Sequence, residues 1–332
     1  TYQEKAPLIN KFREQTKKLT FQNHACKCYA FSMLNDDTIK SNLPTAKKRD
    51  FYKTELWIGQ GGNGKTHENL KDEGLVNAMY IAPSYKLASN KAQEYNVKAD
   101  CLKHITDGRR TKDNYKFFSV LIIDEASMIA ENERKQIFEN YKGKIIFCGD
   151  IGYQLRPIKG KEIDINTFDN IIEKKKNYRY IKGDKIIDLT KVLRHQIKNS
   201  FNKWIEKEPL MELLKLYDLD FVDFEQVKEQ YTAKDMIITA TNYRKDLFTE
   251  TFKDIKKYYI LQRTKGLNRG DIVEDEEIKA EKELRHGYTI HSIQGETIKT
   301  VLYIDINKGM GLRSLYTAIS RAKSIKNIKI II

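Results

Sequence analysis

The sequence predicts an α/β protein of two tandem domains, each built on a parallel sheet, and three observations carry that prediction. Short apolar runs alternate with helical segments along the chain, the pattern of strands buried on both faces of a parallel sheet. Polar and glycine-rich residues follow those runs directly, at the carboxyl ends where open α/β sheets bind ligands. The 332 residues leave room for about two domains of ~100–200 residues each.

Taken in order, the N-terminal segment up to Asn42-Leu43-Pro44 reads as basic and helical. Glu55-Leu56-Trp57-Ile58 reads as a strand running into a glycine-rich turn, with a helix from Thr66. Ala78 to Ile81 is a strand stopped by Pro83, and Lys86 to Tyr95 a helix. Phe117 to Ile123 and Lys144 to Cys148 are apolar runs ending in Asp124-Glu125 and Gly149-Asp150. The pattern then repeats. Lys185 to Arg194 reads as a strand, and Phe201 to Leu216 as an amphipathic helix interrupted at Pro209. Asp235 to Ala240 and Val301 to Ile306 read as strands, Leu315 to Lys323 as a helix, and Ile328 to Ile332 as a closing strand. The expected division is 1–196 and 197–332.

Composition narrows the function classes. No apolar run approaches the ~18 residues of a spanning helix, and Gly 17 with Pro 5 excludes collagen-like or disordered chains. Lys+Arg 60 against Asp+Glu 46 gives a net charge of +14. That suits a polyanionic partner, and equally the Lys-rich composition of an AT-rich genome. Cys26, Cys28, Cys101 and Cys148 are few and scattered, which predicts reduced thiols in an intracellular compartment. His24, Cys26 and Cys28 lie together, but the C-x-C spacing lacks a second half, so no structural metal site is expected there. The chain begins at Thr1, which suits an excised piece of something longer.

Gly59-Gln60-Gly61-Gly62-Asn63-Gly64-Lys65-Thr66 fits G-x-x-x-x-G-K-[ST], between a strand and a helix. Glycines let the backbone curl until its N–H groups face phosphate oxygens. Lys65 then reaches the β- and γ-phosphates of ATP, and Thr66 ligates Mg²⁺. The second half of such a site is Leu121-Ile122-Ile123-Asp124-Glu125, an apolar strand delivering adjacent carboxylates. Asp124 is the expected Mg²⁺ ligand and Glu125 the expected general base. These segments imply a nucleoside triphosphatase and leave open what the hydrolysis drives.

Gly149-Asp150-Ile151-Gly152-Tyr153-Gln154-Leu155-Arg156-Pro157 resembles motif III of the superfamily 1 helicases, G-D-x-x-Q-L-x-P. The rest of that family's pattern follows in order. Ala82-Pro83-Ser84 resembles motif Ia, Leu193-Arg194-His195-Gln196 motif IV, and Thr241-Asn242 the T-N segment. Gly287 to Glu296 resembles motif V and Tyr316 to Lys323 motif VI. The resemblance spans residues 55 to about 325, and an ordered set of this kind is specific where one motif is weak. It implies two RecA-like domains with an ATP cleft between them and single-stranded nucleic acid across both.

By that resemblance, Gln154 contacts the γ-phosphate or the attacking water, Gln294 and Gly295 face the γ-phosphate, and Arg194 and Arg321 are arginine fingers. Ser84, Tyr85, Lys86, His104, Thr241, Asn242, Thr289 and His291 are the expected strand contacts. An adenine-contacting glutamine is sought at Gln15 or Gln22. Asp-Glu-Ala-Ser and T-x-H-x-x-Q-G look most like the RecD-like branch, which implies a DNA helicase moving 5′→3′, with replication or polyprotein domains as neighbours. A viral RNA helicase stays open, as does a nucleic-acid-binding ATPase without productive unwinding. A small β-barrel often precedes motif V in that branch; here residues 271–286 are short and acidic, so it is expected to be trimmed or absent. The segment Asp107 to Tyr115 leaves room for a short pin only.

Overall fold

The computed structural model describes residues 53–72, 77–106, 114–199, 207–261, 267, 271–274, 278, 280–306 and 310–332. The expected N-terminal helical segment, Gln15, Gln22, His24, Cys26 and Cys28, and most of the Asp107 to Tyr115 segment lie outside the described residues.

The first sheet contains β1 (Thr54–Ile58), β2 (Ala78–Ala82), β3 (Lys98–Cys101), β4 (Val120–Ile123), β5 (Lys144–Gly149) and β6 (Asn170–Glu173), in the order β3-β2-β4-β5-β1-β6. Every neighbouring pair is parallel. The central run Val120–Ile123 is buried on both faces, and its side chains alternate between two cores. Leu121 and Ile123 join Leu56, Ile137 and Phe147 beneath the helix Glu131–Asn140. Val120 and Ile122 join Trp57, Tyr80 and Ile146 on the face where Leu70 of the helix Lys65–Lys71 and Leu87 of the helix Tyr85–Tyr95 pack. This two-sided burial is why the run is continuous rather than alternating in the sequence.

The second half contains β7 (Asp220–Val222) and β8 (Met236–Thr239), the short strands β9 (Tyr258–Ile260), β10 (Ile272–Val273) and β11 (Lys282–Leu284), then β12 (Gly287–Thr289), β13 (Leu302–Asp305) and β14 (Ile328–Ile331). Five of these form a parallel sheet in the order β12-β8-β13-β14-β7. Among the described residues, β10-β9-β11 form a separate antiparallel sheet before β12, where a trimmed or absent β element was expected.

Residues 185–194, expected as a strand, lie instead in the helix Ile186–Asn199. Ile186, Leu189, Thr190 and Leu193 are its buried residues, and their spacing is the three-and-four repeat of one helical face. That face packs in the core of the second sheet with Leu315 and Ile319, so the division expected at residue 196 cuts a helix belonging to the second core. The next described helix is Lys207–Leu216, which contains Pro209. Residues 201–206 lie outside the described set.

Lys257 is a buried cation in the second half, 2% exposed, donating to the Tyr231 hydroxyl at 3.1 Å and to the Asp235 carbonyl. Burial pushes its amine down to about 8, against partial support from Asp235. The unfolded chain, titrating near 10.5, therefore binds more protons between pH 8 and 10.5, and this group makes the fold more stable as pH rises through that window. Below pH 8 the penalty is fully present, roughly 3 kcal/mol. Lys257→Met should accordingly raise the urea midpoint at pH 7, and its advantage should shrink at pH 10; an equal shift at both values would refute the assignment.

Candidate active site

β1 ends at Ile58 and the chain turns through glycines into the helix Lys65–Lys71. Gly62 has φ +88 and Gly64, the N-cap, φ +74, a left-handed conformation that favours glycine. Lys65 folds back over this loop, its Nζ donating to the carbonyls of Gly59 at 2.5 Å and Gln60 at 2.8 Å. Burial pushes the Lys65 amine down, and Asp150 is the strongest charge opposing that shift. Thr66 follows on the same helix. The adjacent His67, for which the sequence offered no reason, bonds the Tyr95 hydroxyl through Nδ1 at 2.8 Å and ties the loop helix to the helix Tyr85–Tyr95.

β4 delivers the carboxylates. Asp124 accepts from the Tyr80 hydroxyl at 2.8 Å and from the backbone N–H of Glu125 at 2.9 Å. Burial, then the Asp124 charge, push the Tyr80 phenol well above its usual range. Glu125 itself has φ +51, a left-handed turn that swings its side chain off the strand direction.

The second half completes the site. Gln294 Nε2 donates to Glu125 Oε2 at 3.2 Å and to Ser127 Oγ at 3.0 Å, and Ser127 Oγ donates to Gln154 Oε1 at 3.2 Å. These contacts join Gln294, Glu125, Ser127 and Gln154 in one polar chain across the cleft. Arg321 is 0% exposed, held by Thr317 O at 3.1 Å and Ser320 Oγ at 3.0 Å. Its Nη1 lies 3.7 Å from Glu125 Oε1 and has no hydrogen-bond partner among the described residues. Its Nη2 lies 3.3 Å from where a Cβ on Gly61 would stand, so this guanidinium abuts the glycine loop.

Arg179 stands beside it, and the sequence reading missed it. Its Nη1 donates to the Ser320 carbonyl at 2.6 Å and lies 2.8 Å from the Cβ position of Gly61. Burial, followed by the charge of Arg321, pushes this guanidinium down to about 10. Its neighbours clasp the loop: Asn177 Nδ2 donates to Gly61 O and Asn63 Oδ1, both at 2.9 Å, and Tyr178 N donates to Gly62 O at 2.8 Å. The available signal was Asn177-Tyr178-Arg179 on the segment joining the two sheets, which follows the run Lys174-Lys175-Lys176 and matches none of the motifs.

Arg194 is the second expected arginine finger. It sits within the helix Ile186–Asn199, pairs with Asp150 at 3.1 Å, and stacks over Tyr153 at 3.9 Å from the ring centre. Asp150, 1% exposed, also accepts from the Tyr316 hydroxyl at 2.5 Å. Packing of the helix on the second core aims Arg194 at the Gly149-Asp150 turn, and Arg179 takes the place beside the loop. The cleft has a volume of about 1040 Å³, with Gly62, Lys65, Asp124, Gln154, Gly295 and Lys323 among its walls.

The expected strand contacts fall on two similar edges. Ser84 caps the helix Tyr85–Tyr95 by accepting from Leu87 N at 3.3 Å, with φ −131 and ψ 152. Thr241 caps the helix Asn242–Thr251 by accepting from Arg244 N at 3.3 Å, with φ −129 and ψ 153. Each cap follows the carboxyl end of a parallel strand, β2 or β8. Tyr85 bonds His104, which pairs with Asp100 at 2.6 Å, so these residues form one cluster. Thr289 pairs in register with Thr239, which brings the segment carrying His291 beside Thr241 and Asn242. Lys86 pairs with Glu296 of the opposite half at 2.8 Å.

Residues 48–203 match the family described as "AAA domain". Among solved structures, a Pif1 helicase from a study of DNA unwinding at forked duplexes matches with a TM-score of 0.58 and 15% identity, over 93% of this chain and 92% of that one. The fold is that of the Pif1 helicases. The Candida albicans enzyme matches over 94% of each chain, with a TM-score of 0.52 and 15% identity. A Bacteroides Pif1 in complex with ADP-AlF3 and single-stranded DNA covers 85% of this chain and 89% of its own, with a TM-score of 0.55 and 15% identity. Against curated protein sequences the chain has no significant match.

A Cβ on Gly62 would stand 2.3 Å from Arg179 Cβ and 3.2 Å from its backbone N. Gly62→Ala is therefore expected to push the 177–179 clasp off the loop and weaken binding of a fluorescent ATP analogue at least ~10-fold, with the far-ultraviolet dichroism unchanged. Unaltered nucleotide affinity would show that the clasp and the loop do not act together.

Proposed function

We propose that the chain is an ATP-driven helicase motor on single-stranded nucleic acid, with DNA as its substrate and 5′→3′ as its direction. One observation carries the reading. Arg321, fully buried, and Arg179, half-buried, converge on the glycine loop, and Glu125 Oε1 lies 3.7 Å from Arg321 Nη1. Two guanidinium groups packed together repel, and Arg321 Nη1, on the Glu125 side, has no hydrogen-bond partner among the described residues. The β- and γ-phosphates of ATP supply the missing charge and acceptors.

The residues present fit that ligand. Lys65, now bonded to its own loop carbonyls, would exchange them for phosphate oxygens. Thr66 and Asp124 offer two oxygen donors, a number suited to Mg²⁺, which takes its remaining ligands from phosphates and water. Bound there, Mg²⁺ would neutralise charge on the β- and γ-phosphates. Glu125 would accept a proton from water as that oxygen attacks the γ-phosphorus and ADP leaves. Gln154 and Gln294, joined through Ser127, would report phosphate occupancy to the neighbouring strand edges. Tyr178 leaves its ring exposed against the face of Gly64, within reach of a nucleotide base.

Arg179 lies on the joining segment that clasps the loop, whereas Arg321 belongs to the second half, so Arg321 completes the site only when the cleft closes. ATP favours closure, and phosphate release favours opening. The matched caps at Ser84 and Thr241 give each half an equivalent grip on a sugar-phosphate backbone, and alternating grips convert the cycle into steps. DNA is supported by the motif forms and by the fold shared with Pif1 helicases, which are described with forked and single-stranded DNA. The direction rests on the motif forms.

Turnover should rise on adding oligonucleotide, and Lys65→Ala should abolish it. Turnover indifferent to every DNA or RNA oligonucleotide would end the motor reading. Strand affinity should fall steeply with salt. Tailed DNA and RNA duplexes of both polarities test substrate and direction together. Arg321→Ala and Arg179→Ala should each lower kcat by about 10³-fold with little change in nucleotide affinity. Arg194→Ala should instead lower stability by ~3–5 kcal/mol, because it strands the buried Asp150 carboxylate.

A further inference from the structure

Beside the nucleotide cleft lies a second interlobe cavity of about 390 Å³, with Ser84, Lys86 and Leu87 on one wall and Ser292, Glu296 and Lys299 on the other. Lys86 and Glu296 meet across it at 2.8 Å, with side chains 18% and 29% exposed. Lys86 sits in the first turn of a helix capped by Ser84, on the edge assigned to the strand backbone. We infer that Glu296 is a built-in mimic of a strand phosphate: it occupies Lys86 in the strand-free protein and is displaced by a phosphodiester of the bound strand.

The chemistry of the two occupants is the same. A carboxylate oxygen and a non-bridging phosphodiester oxygen each carry negative charge and accept a short charge-assisted bond from an ammonium. Both compete for one cation in one cavity, and the carboxylate holds it by being tethered. The tether leads directly to the chemistry. Glu296 is preceded by Gly295, whose φ is +89 and whose Cβ position lies 2.8 Å from Leu87 Cδ2 and 3.6 Å from Glu125 Oε1. Gly295 is preceded by Gln294, which donates to Glu125. Three consecutive residues thus run from the strand pocket to the carboxylate that acts on water. While Glu296 is held, Gln294 stays on Glu125; displacement by a strand frees the segment and releases the carboxylate. Strand binding stimulates hydrolysis by this route, an inference that rests on the motor reading above.

The experiment compares wild type, Glu296→Gln, Lys86→Gln and the double variant, using an oligothymidylate as the strand. Strand affinity is read by fluorescence anisotropy across a salt series, and turnover with and without strand. Glu296→Gln should lower the half-saturating oligonucleotide concentration about five-fold and raise strand-free turnover. It should also steepen the slope of log affinity against log salt by about 0.7, because Lys86 no longer exchanges one anion for another and releases a counterion instead. These effects should vanish in the Lys86→Gln background. Wild type stimulated by strand, with Glu296→Gln indistinguishable from it, would overturn the inference and leave the motor reading intact. So would an unchanged Glu296→Gln effect in the Lys86→Gln background, which would mark it as diffuse electrostatics. A wild type that binds no strand would bring down the motor reading, and this inference with it.

Discussion

Two positive charges, one fully and one partly buried, are packed side by side, and much of the cleft is arranged around that fact. Arg179 and Arg321 are packed against one loop, and Arg179 is pushed down to about 10 by burial and by its neighbour. Glu125 lies 3.7 Å from Arg321. In an interior of low effective dielectric such an arrangement is costly unless an anion joins it. The glycine loop, with its backbone curled through positive φ and its lysine folded inward, is shaped to present that anion. A polyphosphate bound at the loop would place negative charge beside both groups.

Polar contacts join the halves beside an apolar one, Leu155 and Tyr153 packing in the second core. Arg194 and Tyr316 converge on Asp150, Arg313 holds Glu162 at 2.9 Å, and Leu155 N donates to Thr317 Oγ1 at 3.2 Å. Apart from Leu155 and Tyr153, the cores of the two sheets are separate. The contacts also share one address: Asp150, Gln154 and Leu155 all lie on the turn after β5, beside the nucleotide cleft.

Much of the fold was legible in local pattern. Val120–Ile123 and Lys144–Gly149 announce themselves because a strand buried on both faces has little use for polar residues. The reading failed at Ile186–Asn199, where a helical stripe of Ile186, Leu189 and Leu193 was taken for a strand. Short apolar groupings do not reveal their period until the partner surface is known. Arg194 was expected as an arginine finger from the resemblance of Leu193 to Gln196 to motif IV; in this structure the helix turns it toward Asp150.

The sequence by itself determined the loop at Gly59 to Thr66 and the carboxylates Asp124 and Glu125. Their chemistry is carried by contiguous residues at strand ends, where local geometry suffices. Tertiary structure decided which arginines cross to that loop, that Lys86 is matched with Glu296, and that Ser127 links Gln154 to Gln294. Each of these depends on how one half packs against the other. A guanidinium or ammonium on a long stem reaches whatever the neighbouring body brings within a few ångströms, and no spacing along the chain encodes that distance.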